Sequence, residues 1–167
     1  MKPSLATSVE APMMLDARTA ADLMVPNPIS LRADASVTEA MMLFTEKGIT
    51  AAPVIDEAGR PVGVISGSDL MIHQVEEEKN RAGHPEYFLE PTLGNGKTRG
   101  EDKTKKATVV DLMTPAVFAV SPETPVNRVV SDMVGLRVHR MFVVDADGIL
   151  VGVVSTMDVL KHLTPAR

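Results

Sequence analysis

The sequence has no cysteine and few aromatic residues, and both absences narrow the functions open to it. Its 167 residues include four Phe, one Tyr and no Trp. Without cysteine, the chain can form no disulfide, no thiolate nucleophile and no cysteine-ligated metal site. The scarcity of aromatic rings also argues against a surface on which nucleic-acid bases stack.

The sequence also lacks an excess of positive charge and any long apolar run. Its formal net charge is −5 at pH 7, so it has no general attraction for nucleic acid or for an anionic membrane. No stretch approaches the roughly 20 apolar residues of a membrane span, and the N-terminus has no continuous apolar region of the kind found in secretory signals. We therefore expect a cytoplasmic protein that binds no nucleic acid and does not span a membrane.

What the sequence does contain is a tandem repeat. Segment 48–69 matches segment 137–158 at a constant offset of 89 residues, and the match extends back to Thr19–Met24 against Thr108–Met113. Identical residues fall on turn glycines, helix caps and core positions, as in a tandem duplication. Each copy has only about 55 residues, near the lower limit for a self-sufficient core. We therefore expect the two copies to pack together.

Each copy predicts the element order β-α-β-β-α. In the first copy, Ser36 caps a helix that ends at Gly48. A hairpin with strands near 52–56 and 61–65 follows, and a second helix runs from about Gly67 to Lys79.

In the second copy, the turn Asp145–Gly148 separates two apolar strands. Thr124 caps the preceding helix, with Pro125 at its first position. Gly152 stands inside a strand, where a Cβ would crowd a neighbour. The strands and the last helix of this copy are predicted at Met141–Val144, Val151–Val154 and Thr156–Leu163.

Two segments outside the copies each allow two interpretations. Residues 1–18 are either a frayed tail or an arm that docks through Met13, Met14 and Leu15. Residues 80–107 are either a mobile connector or a segment that folds over the core or a dimer mate. The predicted boundaries are 1–18 for the N-terminal tail, 19–79 for the first repeat, 80–107 for the connector, 108–163 for the second repeat and 164–167 for the C-terminal tail.

Four residues of the second copy carry the candidate chemistry. His139 and Arg140 enter its first strand, and Ser155 and Asp158 leave its second. If the strands pair, these groups lie close together. Arginine offers phosphate two hydrogen bonds, a helix N-terminus suits an anion, and a carboxylate accepts ribose hydroxyls. Simpler roles are a solvated strand edge for the cations and a helix N-terminal charge for Asp158 and its counterpart Asp69.

The repeated motifs, which end in Ser66–Asp69 and Ser155–Asp158, resemble a tandem pair of CBS domains over residues 19–79 and 108–163. The second copy, with Val138–Arg140, is also similar to the nucleotide-sensing γ subunit of AMP-activated protein kinase. The resemblance implies an α/β (α+β) fold in which two pseudo-twofold-related β-α-β-β-α repeats pack through their sheets. It also implies two clefts, each taking adenine from one repeat and ribose and phosphate from the other.

The resemblance places the residues of one cleft by position. Asp158 would bind the ribose hydroxyls, and Ser155, the Met157 backbone and the cations would face the phosphate. First-copy residues would surround the adenine. The full set is Ile29, Ile49, Thr50, Pro53, His139, Arg140, Val153, Ser155, Met157 and Asp158.

The symmetric cleft departs from the richer pattern of the family. Thr50 and Ala51 replace the His–Arg pair, and Phe142 replaces a strand proline. Because the phosphate there loses its cations, we expect the Asp158 cleft to be the better nucleotide site. The second cleft would use Val117, Val138 and His139 near the base, with Ser66, Ser68 and Asp69 for ribose and phosphate.

The resemblance implies a regulatory, ligand-sensing module with no catalytic residues, no metal and no obligatory cofactor. The expected ligand is AMP, ADP or ATP, with S-adenosylmethionine as a further candidate. We expect a homodimer that acts on a separate effector protein. The alternative is a dimerisation or protein-interaction scaffold whose nucleotide clefts are empty. Catalysis is disfavoured because the sequence shows no base–nucleophile pair.

Overall fold

The computed structural model describes residues 12–82 and 106–166, which fall into two compact units. Unit 1 combines the chain up to Pro28 with the chain from Phe118, and unit 2 is residues 29–117. In chain order the elements are β1 (Met13–Leu15), α1 (Ala20–Leu23), β2 (Val25–Pro26), β3 (Leu31–Arg32), α2 (Val37–Lys47), β4 (Ala51–Ile55), β5 (Pro61–Ser66), α3 (Gly67–Ala82), α4 (Val109–Leu112), β6 (Ala119–Val120), α5 (Val126–Leu136), β7 (Arg140–Val144), β8 (Leu150–Ser155), α6 (Thr156–Lys161) and β9 (Leu163–Pro165).

The predicted mixed α and β class is confirmed. Both hairpins form close to where the turn residues place them, and the turn glycines Gly59 and Gly148 have positive φ of 83° and 80°. Most of the predicted connector, residues 83–105, lies outside the described residues. Within the parts that are described, no helix is both long and apolar enough to cross a membrane.

Unit 2 is a three-stranded sheet with helices packed on it. β4 is the central strand; it is antiparallel to β5 at one edge and parallel to β3 at the other. Apolar residues at the 3.6-residue spacing of α2 face this sheet. The buried core residues are Leu31, Ala40, Phe44, Ala52, Val54, Ile65, Leu70 and Val109.

Unit 1 has a four-stranded sheet in the order β2-β8-β7-β6 and a separate two-stranded sheet of β1 and β9. Met13–Leu15 pair antiparallel with Leu163–Pro165, so the structure shows the docked arm for these three residues. The core of the unit is formed by Ala20, Leu23, Val129, Met133, Met141, Val143 and Val154.

The last helix is shorter than predicted. It ends at Lys161 rather than Leu163, because Leu163 already belongs to the ladder with β1. His162 closes the helix, since its Nδ1 lies 2.7 Å from the carbonyl oxygen of Asp158.

Most predicted helix caps are present. The Ser36 backbone N–H donates to Glu39 Oε2 at 2.7 Å, and the Glu39 N–H donates back to Ser36 Oγ at 3.2 Å. Gly48 ends this helix with φ 62°, a left-handed conformation that glycine adopts at little cost. These contacts satisfy backbone groups that a helix end otherwise leaves unpaired.

The predicted cap of α5 is wrong. The helix begins at Val126, so Pro125 is the N-cap residue and not the first helical residue, and no side chain caps the helix. The hydroxyl of Thr124 is engaged elsewhere, because it accepts a hydrogen bond from the Ser121 N–H at 3.1 Å.

Each copy contributes its first helical turn to the core of the other copy. The Ala20 N–H donates to Thr124 O at 2.8 Å in unit 1, and the Val109 N–H donates to Ala35 O at 2.8 Å in unit 2. The two bonds are related by the repeat offset, so the exchange is reciprocal. Each compact unit is therefore assembled from both copies.

Two strand glycines accommodate the exchanged segments. A Cβ on Gly152 would overlap the Met24 side chain, as the sequence predicted for this position. A Cβ on Gly63 would lie 2.6 Å from the carbonyl oxygen of Thr114 and 2.8 Å from Met113 Sδ. Backbone and exchanged methionine thus occupy the space that a side chain would need.

We predict that Gly63→Ala destabilises the protein by about 1–3 kcal/mol, because the new Cβ meets a backbone atom that cannot rotate away. Gly135→Ala is the matched control, since nothing lies within 4 Å of its Cβ position. The control should gain about 0.5–1 kcal/mol as a helical alanine. Urea unfolding measures both changes, and equal stability of the two variants would contradict the close contact.

The helix cap at Ser36 should make the free energy of unfolding depend on pH in the acidic range. Its backbone N–H and hydroxyl donate to Glu39 and lower the pKa of that carboxyl below its usual value. The resulting stabilisation is complete above the unfolded pKa of about 4.3 and is lost as pH falls through the lower folded pKa.

We expect Glu39→Gln to be less stable than wild type near neutral pH and to lose less stability on acidification to about pH 3. Glu46→Gln is the control, because Glu46 lies on the same helix and its carboxylate pairs with Lys47 instead of capping. Urea midpoints across this pH range test the difference. Parallel pH curves for Glu39→Gln and wild type would show that the cap carries no pH dependence.

Candidate functional site

The hairpin of β7 and β8 brings the predicted second-copy residues together. Arg140 and Ser155 are direct cross-strand partners. The backbone N–H of Thr156 donates to His139 O at 3.0 Å, which fixes the entry of β7 beside the start of α6. The two cations and the hydroxyl therefore share one end of the sheet in unit 1, as predicted from their spacing.

Asp158 lies on the first turn of α6 and is buried. Its Oδ2 accepts hydrogen bonds from the Ser155 N–H at 2.8 Å and the Ser155 hydroxyl at 2.5 Å. Its Oδ1 lies 3.8 Å from Lys161 Nζ. The simpler reading of Asp158 as a helix-capping residue is therefore correct for one oxygen, and a ribose hydroxyl would have to use Oδ1.

The side chains of His139 and Arg140 have no carboxylate partner among the described residues. Within residues 12–82 and 106–166, no ion pair involves His139 or Arg140, and both residues are exposed. By contrast, Arg32 pairs with Asp34 and Arg128 with Asp132, each at 2.8 Å. The guanidinium of Arg140 is therefore available to a bound anion.

Unit 2 repeats the framework without the charges. Ala51 and Ser66 are cross-strand partners, and the Gly67 N–H donates to Thr50 O at 2.9 Å. Asp69 Oδ2 accepts from the Ser66 N–H at 2.7 Å and its hydroxyl at 2.6 Å. The backbone positions are equivalent, and at the strand entry Thr50 and Ala51 stand in place of His139 and Arg140.

The remaining predicted residues divide between the two units. In unit 1, Val153 is half-buried on β8 and Met157 is exposed. In unit 2, Pro53 is buried in β4 and Ile49 packs against the core. Four further predicted residues of that unit are exposed: Ile29, Thr50, Ser68 and Val117.

A cavity of about 340 Å³ lies within unit 1 beside this hairpin, and sequence reasoning missed it. Its rim includes Arg137, His139 and Thr156, and its walls are apolar side chains of α5, α6 and the start of β7. Arg137 has φ 55°, a left-handed conformation that is uncommon outside glycine. A residue-by-residue comparison of the two copies could have drawn attention to Arg137, since the equivalent residue of the first copy is Gly48.

A second cavity, of about 350 Å³, lies within unit 2 and is more polar. Asp69, His73, Glu76 and Asp111 line it. Nevertheless, among the residues that the structure describes, no group of three acidic or histidine side chains is arranged to hold a metal ion.

Comparison with known proteins gives a consistent picture. The family model of the CBS domain matches residues 20–76 and 109–165. The chain is 31% identical over 150 residues to the chloroplastic CBS domain-containing protein CBSX2 of Arabidopsis thaliana, covering 86% of this chain and 62% of that protein. It is 27% identical over 129 residues to 5'-AMP-activated protein kinase subunit gamma-3 of Bos taurus, covering 77% and 22%. The chain thus spans less than two thirds of the length of these curated relatives.

A comparison with solved structures also finds CBSX2. The crystal structure of CBSX2 in complex with AMP aligns with a TM-score of 0.63 at 29% identity, over 87% of this chain and 95% of that chain. The structure that this chain resembles is thus that of a protein in complex with AMP.

Proposed function

Because the chain belongs to the CBS-domain family, whose model matches more than half of its length, we propose that it is a non-catalytic regulatory module for an adenine nucleotide or adenosyl compound. One observation carries the proposal: within residues 12–82 and 106–166, His139 and Arg140 have no carboxylate partner, and Arg140 lies opposite Ser155 at the strand entry. An arginine without a carboxylate partner, beside an imidazole and a serine hydroxyl, offers hydrogen-bond donors to a phosphate.

Different residues are proposed to contact the phosphate, the ribose and the adenine of the ligand. The guanidinium of Arg140 would hold phosphate oxygens, because it can donate two parallel hydrogen bonds. Oδ1 of Asp158 would accept from the ribose, while Oδ2 keeps the helix cap. The adenine contacts that the resemblance implies, at Ile29, Ile49 and Pro53, remain predictions.

The relatives support the class of ligand. CBSX2 crystallised with AMP, and its sequence is 29% identical to this chain over most of both. AMP, ADP and ATP are therefore the first ligands to test, with S-adenosylmethionine as a further candidate. The Asp69 position should bind them less well, since Thr50 and Ala51 provide no cation there.

A scaffold with empty clefts is the second candidate. Met71 and Leu160 occupy equivalent positions of α3 and α6 and are 66% and 51% exposed. Exposed apolar residues repeated on two helices suit a contact between protein molecules. Such a contact is also compatible with the expected homodimer and with a separate effector protein, both of which remain proposals, as does a cytoplasmic location.

We predict that the protein binds at least one of AMP, ADP, ATP and S-adenosylmethionine, and that Asp158→Asn and Arg140→Ala each weaken binding roughly tenfold or more. Each variant loses a hydrogen bond to a charged group, worth about 1.5–3 kcal/mol. Isothermal titration calorimetry on the full chain measures the affinities, and thermal shift checks that the variants remain folded.

Two controls match these variants. Asp69→Asn changes the equivalent capping carboxylate of the first copy, and Arg128→Ala removes a cation that already has a partner in Asp132. Both controls should bind within about twofold of wild type. Failure of all four ligands to bind at millimolar concentration would favour the scaffold, and stronger loss in Asp69→Asn than in Asp158→Asn would reverse the assignment of the better site.

A further inference from the structure

Four apolar residues that line the cavity in unit 1 are smaller than their counterparts in the first copy. Val138 and Val159 stand where the first copy has Ile49 and Leu70, and each is one carbon shorter. Likewise, Val130 replaces Met41 and Met133 replaces Phe44. In the first copy, Phe44 and Leu70 are only 8% and 4% exposed and belong to the core. Leu70 is thus buried where its counterpart Val159 is half-buried, whereas Met133, at 5% exposed, is as buried as Phe44.

The rim of the cavity has changed in the opposite sense, from neutral to cationic. Arg137 stands at the position of Gly48, and His139 at the position of Thr50. Arg137 keeps the left-handed backbone of the glycine, with φ 55° against 62°. This conformation carries a backbone cost for arginine, and such strained residues cluster at ligand sites.

Among the described residues, no ion pair holds the side chain of Arg137 in its position. Arg137 is exposed at the edge of a cavity whose other lining residues, apart from His139 and Thr156, are apolar. Apolar walls with one or two convergent polar groups at the rim are typical of small-molecule sites, which occupy about 300–1,000 Å³. The volume of about 340 Å³ lies at the small end of that range.

From these two coordinated differences between the copies, we propose that the cavity binds a small amphipathic anion. Its alkyl chain would lie against Val130, Met133 and Val159, and its carboxylate or phosphate would contact Arg137 and His139. Val130, Met133, Arg137 and Val159 have no role in the proposed nucleotide site, so this is a second site. His139 is shared, which would couple the two ligands.

The test uses the full chain and simple probes in calorimetric titrations. Octanoate and octyl phosphate present a carboxylate and a phosphate on the same chain, acetate lacks the chain, and octanol lacks the charge. We expect one or both octyl anions to bind at least tenfold more tightly than acetate and octanol. Whichever anion binds more tightly identifies the head group.

The first copy supplies the variants, because each substitution introduces the residue that the same fold already holds there. The double variant Met133→Phe with Val159→Leu fills the cavity and should weaken the octyl anions at least tenfold. Arg137→Gly should weaken them about tenfold, leave octanol unchanged, and leave the melting temperature equal or higher. Arg128→Ala is the control cation on the same helix and should bind as wild type.

Several results would overturn the site. These are no binding of either octyl anion at millimolar concentration, undiminished binding by the filled double variant, or equal affinity for octanol and octanoate in the wild type. Loss of octanoate binding in Asp158→Asn would place the anion in the nucleotide site instead. A changed sedimentation coefficient of the filled variant, with no octanoate binding by wild type, would assign the cavity to a second copy of the chain. Normal AMP binding by the filled variant keeps this test separate from the proposed nucleotide function.

Discussion

The first helical turn of each copy packs into the core of the other, and the rest of the structure depends on this exchange. Ala20 and Val109 are fully buried among residues of the opposite copy. Two glycines, Gly63 and Gly152, leave room for the strand segments that follow these turns. Neither copy therefore completes its own core. A copy of about 55 residues is near the lower size limit for a stable core, and the helical turn from the other copy adds buried apolar residues to it. The stability of each unit requires both copies to be present.

On this shared framework, the backbone is conserved between the copies while the side chains at the strand entries have diverged. Both copies pair a serine with an aspartate at the start of a helix. Only the second adds His139 and Arg140 opposite that serine. Asp158 uses one carboxylate oxygen to cap α6. A ligand bound to the other oxygen would therefore contact the same side chain that stabilises the start of this helix. Capping and recognition are thus two uses of a single carboxylate.

Local signals in the sequence were sufficient for the hairpins and most caps, because turn glycines and serine–acid pairs act within a few residues. Longer-range features were out of reach. The β1–β9 pairing joins residues near opposite ends of the chain and has no local pattern. The 89-residue offset shows that two helical turns are equivalent but not which core receives each one. The start of α5 was misplaced since the Thr124 hydroxyl has a competing partner. The apolar residues that line the cavity differ from their counterparts in the first copy by one or a few heavy atoms. Hydrophobic periodicity does not detect such differences, because both residues count as apolar.

The main chain passes from unit 1 to unit 2 at Pro28–Ile29 and returns at Val117–Phe118. Unit 2 is therefore topologically an insert within unit 1. A protease that cut both junctions would leave unit 2 with no covalent link to unit 1. It would leave unit 1 as two peptides held together by β1–β9 and β2–β8 without any covalent link.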